Sequence, residues 1–505
     1  MQSSTDWSDR AVVASSSYKT IFKSTALIGG AQIIFIMAGI VRTKVLAVLL
    51  GPAGMGLVGL YTTATELVGT ITGMGIGSSG VRQIAEATGT RDASRIARTM
   101  FVLRRASLVS GVLGMLVVLV LCVPLSRLTF GDSRHIGGMA LMSLTLLFGG
   151  VSAGQLALLQ GCRRIKELAS SQIFGALFGT FASIALIYIL REDGIAPYLV
   201  AVSAFGLLAS WWYARRIPRQ PASMTIRETL RESRSFLGMG TAFMVSALLV
   251  AGVAYASRVL ILRELGKEAV GLYQATWTLS TIYVGFVLNA MATDFYPRLT
   301  AAAGDNAAVN RMVNEQTEMG LLISIPGVLA TITLAPWVLT VFYSSAFVTA
   351  TEIIRWQIIG IALRVVSWPL GFVQIAKGKG TLFILTELAA SVLHIALLIG
   401  GMKLFGLEGV GIAFALFYFC YAGGIFFICR WLSGFEWSLQ AMKILYASGA
   451  AVILTFVAVR YLPDIPALAC GMLMTTATAV VCLQSLQKLL GASLWDLLRA
   501  KFRER

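Results

Sequence analysis

Charge is scarce in this sequence. Asp, Glu, Lys and Arg make up 13% of its 505 residues, about half the roughly 25% usual in soluble domains. With 57% hydrophobic residues, a chain this long has too little polar surface to cover a water-facing particle. Acidic charge is the scarcer sign: 24 Asp and Glu stand against 41 Lys and Arg, a formal net charge of +17. Cysteine is sparse as well. Cys122, Cys162, Cys420, Cys429, Cys470 and Cys482 form no CxxC pair, and most lie in or beside apolar runs. They read as small apolar packing residues, not as disulfides or metal ligands. There is no GxxxxGK[ST] nucleotide loop, which argues against ATP-driven transport by this chain. There is no HExxH and no nucleophile elbow with partners. Gly73-Met74-Gly75-Ile76-Gly77 is glycine-rich, but it lies in an apolar run, where a phosphate cradle is not expected.

Long apolar runs dominate what is present. A membrane span needs about 20 mostly apolar residues. Such runs occur near 24–49, 57–81, 101–123, 136–160, 168–190, 195–213, 236–262, 269–295, 317–341, 351–375, 381–402, 408–429, 441–460 and 466–487. The predicted fold is therefore an all-α integral membrane protein of about fourteen transmembrane helices. Residues 1–23 are polar, and the apolar run after them is long enough to span, so the first helix is expected to be uncleaved.

Basic residues orient these spans. With the N-terminus in the cytoplasm, 29 Lys and Arg fall on the cytoplasmic side, 7 on the opposite side and 5 within spans. That asymmetry predicts a multi-pass protein with N- and C-termini cytoplasmic. It also explains the positive charge without nucleic acid. No loop is long enough to hold a soluble catalytic domain.

An internal repeat divides the spans. Gly51-Pro52-Ala53-Gly54-Met55-Gly56-Leu57 resembles Gly266-Lys267-Glu268-Ala269-Val270-Gly271-Leu272 at an offset of 215. Arg82 matches Arg298, Gln160-Gly161 matches Lys377-Gly378, and Gly194-Ile195-Ala196 matches Gly409-Val410-Gly411, all near the same offset. Six spans separate the copies, so they run parallel, as in many transporters. The expected organisation is a cytoplasmic segment at 1–23, a six-helix bundle at 24–213, a cytoplasmic linker at 214–235, a second six-helix bundle at 236–430, two further helices at 431–490, and a basic tail at 491–505.

Ionisable groups inside spans are costly, by roughly 2.5–3.5 kcal/mol on insertion scales, and tend to face a cavity or a partner. The cations are Arg42 and Lys44 in the first span, Arg258 in the seventh, and Arg355 and Arg364 in the tenth. The first and seventh spans begin the two repeats. A cavity lined by both would be cationic and would suit a phosphate-bearing substrate. Packing against a nearby acid is the competing role. Arg42 and Lys44, two residues apart, sit about 200° apart on a helix and cannot face the same way. Glu352 and Arg355 are three apart and are expected to pair along one face. Asp294, Glu66 and Glu387 are the candidates for coupling to an ion. His394 is expected to be packed.

Several of these segments resemble a known family. They are Val45-Leu46-Ala47-Val48-Leu49-Leu50 leading into Gly51-Pro52, Tyr296-Pro297-Arg298-Leu299, Trp356-Gln357-Ile358-Ile359-Gly360, and Gln374-Ile375-Ala376-Lys377-Gly378. In order and spacing, from about residue 20 to 435, they are similar to Wzx-type flippases for O-antigen and enterobacterial common antigen. These belong to the multidrug/oligosaccharidyl-lipid/polysaccharide exporter superfamily. The resemblance implies two pseudo-symmetric six-helix bundles in a V around a central cavity, in the bacterial inner membrane. It implies alternating-access movement of undecaprenyl-pyrophosphate-linked oligosaccharide repeat units from the cytoplasmic to the periplasmic leaflet. Lys44 and Arg258 fall on basic positions of the family; the carry-over to Arg355 and Arg364 is weak. No bound cofactor is implied, and a proton or sodium gradient is the energy source suggested. A polysaccharide polymerase and a chain-length regulator are the suggested partner proteins. Two alternatives stay open: an ion-coupled multidrug antiporter of the same fold, which would favour an acidic or aromatic cavity, and a polysaccharide polymerase or ligase, which needs a large periplasmic loop.

Overall fold

A computed structural model describes residues 5–90, 92–217 and 241–490, with side chains described from residue 32 apart from 241–243, 283–284, 286–287, 289–294 and 490. The tail expected at 491–505 lies outside that description and the linker at 214–235 mostly so, whereas the segment expected at 1–23 is helical from Thr5 onward, as the start of α1. The described residues hold fourteen α-helices and no β-strand. They are α1 (Thr5–Gly73), α2 (Ile76–Gly89), α3 (Ala93–Phe130), α4 (Ile136–Gly161), α5 (Ile165–Leu190), α6 (Ile195–Ala214) and α7 (Thr241–Leu265). There follow α8 (Lys267–Ala301), α9 (Asn306–Phe342), α10 (Thr351–Ala376), α11 (Gly380–Phe405), α12 (Glu408–Ser433), α13 (Leu439–Tyr461) and α14 (Asp464–Leu490). Eleven described stretches are long and apolar enough to cross a membrane. Three of these hold more than one helical segment: Gln32–Gly73 is broken at Gly51, Ile165–Ala214 contains both α5 and α6, and Ser345–Ala376 joins a short 3-10 helix to α10.

Local signals set the helix ends. Asp92 caps α3, its carboxylate accepting from the Ser94 and Arg95 amides at 2.9 and 3.3 Å. Asp305 does the same for α9, accepting from Ala307 and Ala308 at 2.9 and 3.1 Å. Each satisfies amides that the first turn of a helix leaves without partners. One span departs from the sequence expectation. The run predicted at 57–81 breaks at Met74–Gly75, both at positive φ, before α2 resumes. The crowded glycines there allow a break that continuous hydropathy does not reveal.

The repeat is visible in the backbone. Gly51 (φ 62°, ψ −171°) and Gly266 (φ 89°, ψ 178°) share a conformation open almost only to glycine. Arg191 (φ 53°, ψ −128°) and Gly406 (φ 57°, ψ −130°) form a second matched pair, again 215 residues apart. The first copy thus forces an arginine into a geometry that the second gives to glycine. Strain of this kind costs on the order of 1–3 kcal/mol, offset in part by the extra chain entropy glycine loses on folding. Arg191→Gly is expected to stabilise the protein by about 1 kcal/mol, read as a higher melting temperature in detergent. An unchanged or lower value would refute the strain.

The chain separates into two compact units, Met1–Tyr255 and Ala256–Arg505. In the first, Ile84, Val102, Leu103, Leu158 and Leu159 form a buried core of α2, α3 and α4. Small residues let α3 and α4 approach closely: a Cβ on Gly150 would lie 2.8 Å from the Gly111 Cα. In the second, Ile325, Val328, Leu329 and Ile332 of α9 interleave with Ile358, Ile361 and Val365 of α10. The two helices beyond the second repeat, α13 and α14, pack against α9. Large apolar side chains on the outside, among them Phe181, Leu404 and Trp431, are about three-quarters exposed. A bilayer supplies the apolar surroundings they lack within the fold.

Candidate functional site

The second unit gathers charged and hydroxyl groups from five helices. Arg258 of α7 is buried at 3% exposure. Its Nε donates to Gln274 Oε1 of α8 at 2.8 Å, and its guanidinium lies 5.4 Å from the Tyr273 ring centre. The Gln274 amide nitrogen donates in turn to Thr278 Oγ1 at 3.1 Å. One turn of α8 thereby fixes the plane of the Arg258 fork, and the aromatic face favours a cation there.

Tyr273 packs against Trp277 of α8, Trp277 against Phe414 of α12, and Phe414 against Tyr418, with ring centres 5.8, 5.6 and 4.9 Å apart, and Tyr418 lies 6.3 Å from the Tyr421 ring. Arg364 of α10 lies 5.9 Å from the Tyr418 ring centre. One turn further along α12, the Tyr421 hydroxyl donates to Glu387 Oε1 of α11 at 3.0 Å. Arg258, Arg364 and Glu387 therefore belong to one connected cluster, joined by Tyr273, Tyr418 and Tyr421. Among the described residues it holds two guanidinium groups against one carboxylate. Planar donor forks and tyrosine hydroxyls in a low-dielectric setting are suited to holding phosphate oxygens.

Arg355 belongs elsewhere. Its Nε donates to the Ile332 carbonyl at 3.2 Å and its Nη1 to Glu352 at 2.6 Å, the pairing expected from their spacing. Glu352 also binds Arg460 of α13, which reaches Glu408 of α12 at 2.7 and 3.2 Å. Trp356 Nε1 completes the group on Glu408 at 2.9 Å. These ion pairs tie α13 to α10 and α12, so the charge of Arg355 serves helix packing.

Arg42, Lys44 and Glu66 belong to the first unit. Arg42 and Lys44 are half-buried on α1. Glu66 is exposed on the same helix beyond the Gly51 kink. The Asp294 side chain lies outside the described residues. His394 is packed, its ring stacked on Phe417 at 4.6 Å. Among described residues no group of His, Cys, Asp and Glu is arranged to hold a metal ion.

Sequence reasoning passed over Gln274, Tyr273, Tyr418 and Tyr421. It considered ionisable side chains alone. A glutamine and tyrosines inside apolar spans carry the same signal in weaker form, because each needs a polar partner in hydrocarbon.

The helical fold, with eleven described stretches long and apolar enough to span, defines a multi-pass membrane protein. The chain belongs to the polysaccharide biosynthesis protein family, whose sequence pattern matches residues 45–352. It is 24% identical over 431 residues to the lipid III flippase of Escherichia coli (strain K12), covering 81% of this chain and 99% of that relative. Among solved structures, lipid II flippase MurJ in an inward closed conformation superposes with a TM-score of 0.68 at 12% identity, covering 92% of this chain and 99% of that one. An inward-facing multidrug resistance MATE family transporter of the MOP superfamily gives 0.60 at 18% identity, covering 83% and 96%. At these identities the structural likeness concerns the fold.

Proposed function

We propose that the chain is a flippase that carries undecaprenyl-pyrophosphate-linked oligosaccharide repeat units from the cytoplasmic to the periplasmic leaflet of a bacterial inner membrane. The buried cluster around Arg258 and Arg364 carries this reading. A pyrophosphate and a polar glycan cannot cross about 30 Å of hydrocarbon unaided. Preoriented guanidinium groups replace the water that the phosphates lose, while the polyprenyl chain stays in lipid. Arg258 and Arg364 act on the second unit, Lys44 and Arg42 on the first. Alternating access would then release the headgroup on the far side.

The two guanidinium groups of the cluster favour an anionic cargo over the organic cations expected of a drug antiporter. Glu387, bonded to Tyr421, is the acid best placed to couple ion movement to the arginines. Asp294 and Glu66 are the other coupling candidates, driven by a proton or sodium gradient. A polymerase and a chain-length regulator would act on the delivered units, and both termini would be cytoplasmic.

The test is genetic and chemical. Loss of the gene is expected to make a pyrophosphate-linked glycolipid accumulate in the inner membrane, shielded from a glycan-modifying enzyme added outside. Export of every such lipid at its normal rate would overturn the assignment.

A further inference from the structure

We infer that the first unit carries a separate site for the headgroup of an anionic phospholipid. It is a pocket of about 180 Å³ on α3, α4 and α6. Its lining includes Arg104, Ser107 and Leu108 of α3, Gln155 of α4, Trp211 of α6, and Arg215 just past the end of α6. None of these belongs to the cluster around Arg258.

Three features specify the ligand. First, the Ser107 side chain is only 3% exposed, and its hydroxyl has no hydrogen-bond partner among described residues. A buried hydroxyl left this way is costly, by about 1–3 kcal/mol, and an acceptor in the pocket removes that cost. Second, two arginines bear on the same small space. The Arg215 guanidinium sits over Trp212 and Trp211, 3.6 and 4.9 Å from their ring centres. A contact of this kind orders the guanidinium while leaving N–H groups for an acceptor. Third, the walls are amphiphilic. Leu108 and Trp211 are about half exposed beside the arginines, whereas Gln155 Oε1 accepts from Ser210 at 2.7 Å.

A phosphodiester fits the hydroxyl and the two cations, and an acyl chain fits Leu108 and Trp211. A free phosphate would leave the apolar wall bare. The pocket is also smaller than the roughly 300–1,000 Å³ of sites that enclose a whole small molecule. It suits a headgroup whose tails lie in the bilayer. The chain just past the end of α6 is rich in cations, with Arg215 and Arg216 adjacent, as expected beside an anionic membrane surface.

The test uses the purified full-length protein in uncharged detergent, titrated with phosphatidylglycerol, phosphatidylcholine or inorganic phosphate while thermal unfolding is followed. Phosphatidylglycerol is expected to raise the melting temperature saturably, with little effect from the other two. The double variant Arg104→Gln, Arg215→Gln should bind it about tenfold more weakly. The Arg104→Lys, Arg215→Lys pair should retain most binding, and Arg127→Gln, elsewhere on α3, should retain all of it. Ser107→Ala deletes one buried atom and should weaken binding severalfold, which keeps the test decisive if the double variant does not fold. Undiminished phosphatidylglycerol binding in the Gln pair or in Ser107→Ala would overturn the site. So would an equal response to phosphatidylcholine or to phosphate alone.

Discussion

Arg258→Leu should abolish delivery of the lipid-linked glycan while leaving protein in the membrane. The side chain is 3% exposed and its Nε–H is already held by Gln274. Charge-assisted hydrogen bonds to phosphate contribute about 1.5–3 kcal/mol each. Loss of one or two therefore weakens cargo binding by roughly 10- to 10,000-fold. Leucine is readily accepted in hydrocarbon, although Gln274 Oε1 loses its donor. Arg258→Lys separates charge from geometry. It keeps the positive charge but loses the planar fork and the fixed Nε–H, so an intermediate phenotype is expected. The measurement is surface glycan against protein abundance at native expression. Full glycan with Arg258→Leu would remove the cluster from the transport cycle.

The largest expected effect on stability is at Gly409. This residue lies in the first turn of α12, just after the turn from α11, and a Cβ placed on it would overlap the Gly401 carbonyl oxygen and carbon. The converse also holds, since a Cβ on Gly401 would overlap the Gly409 carbonyl. Both obstructions are backbone, so no rotamer change relieves them. The α11–α12 hairpin must open for alanine to fit. Overpacking typically costs about 1–3 kcal/mol where side chains yield, and Gly409→Ala should reach or exceed that range. Gly400→Ala is the control, because its Cβ would meet nothing within 4 Å. Comparable yields and melting temperatures for the two variants would show that the hairpin is looser than described. The hairpin also positions Glu387 of α11 against Tyr421 of α12. A folded but shifted Gly409→Ala would therefore be expected to impair transport too.

Much of the fold was legible without coordinates because hydrocarbon imposes strong and local rules. A backbone in lipid must satisfy its own hydrogen bonds, so each apolar run of sufficient length has one available form, the helix. The offset of 215 was equally legible. It recurs in the matched conformations of Gly51 with Gly266 and of Arg191 with Gly406. The pairing of Glu352 with Arg355 followed from helical periodicity alone.

Sequence could not distribute the buried charges among their partners. Arg355 and Arg364 share α10 and look alike in the sequence. One is bound into the ion pairs that hold α13, while the other joins Arg258, Tyr418 and Glu387. The separation depends on which helices lie beside each face of α10, and no local pattern encodes that. The break at Met74–Gly75 and the pocket around Ser107 share this character. Spans, the repeat and an excess of buried cations were determined by the sequence, through the cost of polar groups in lipid. Which cations gather among the tyrosines, and which hold helices together, was decided only when tertiary packing brought residues far apart in the chain into contact.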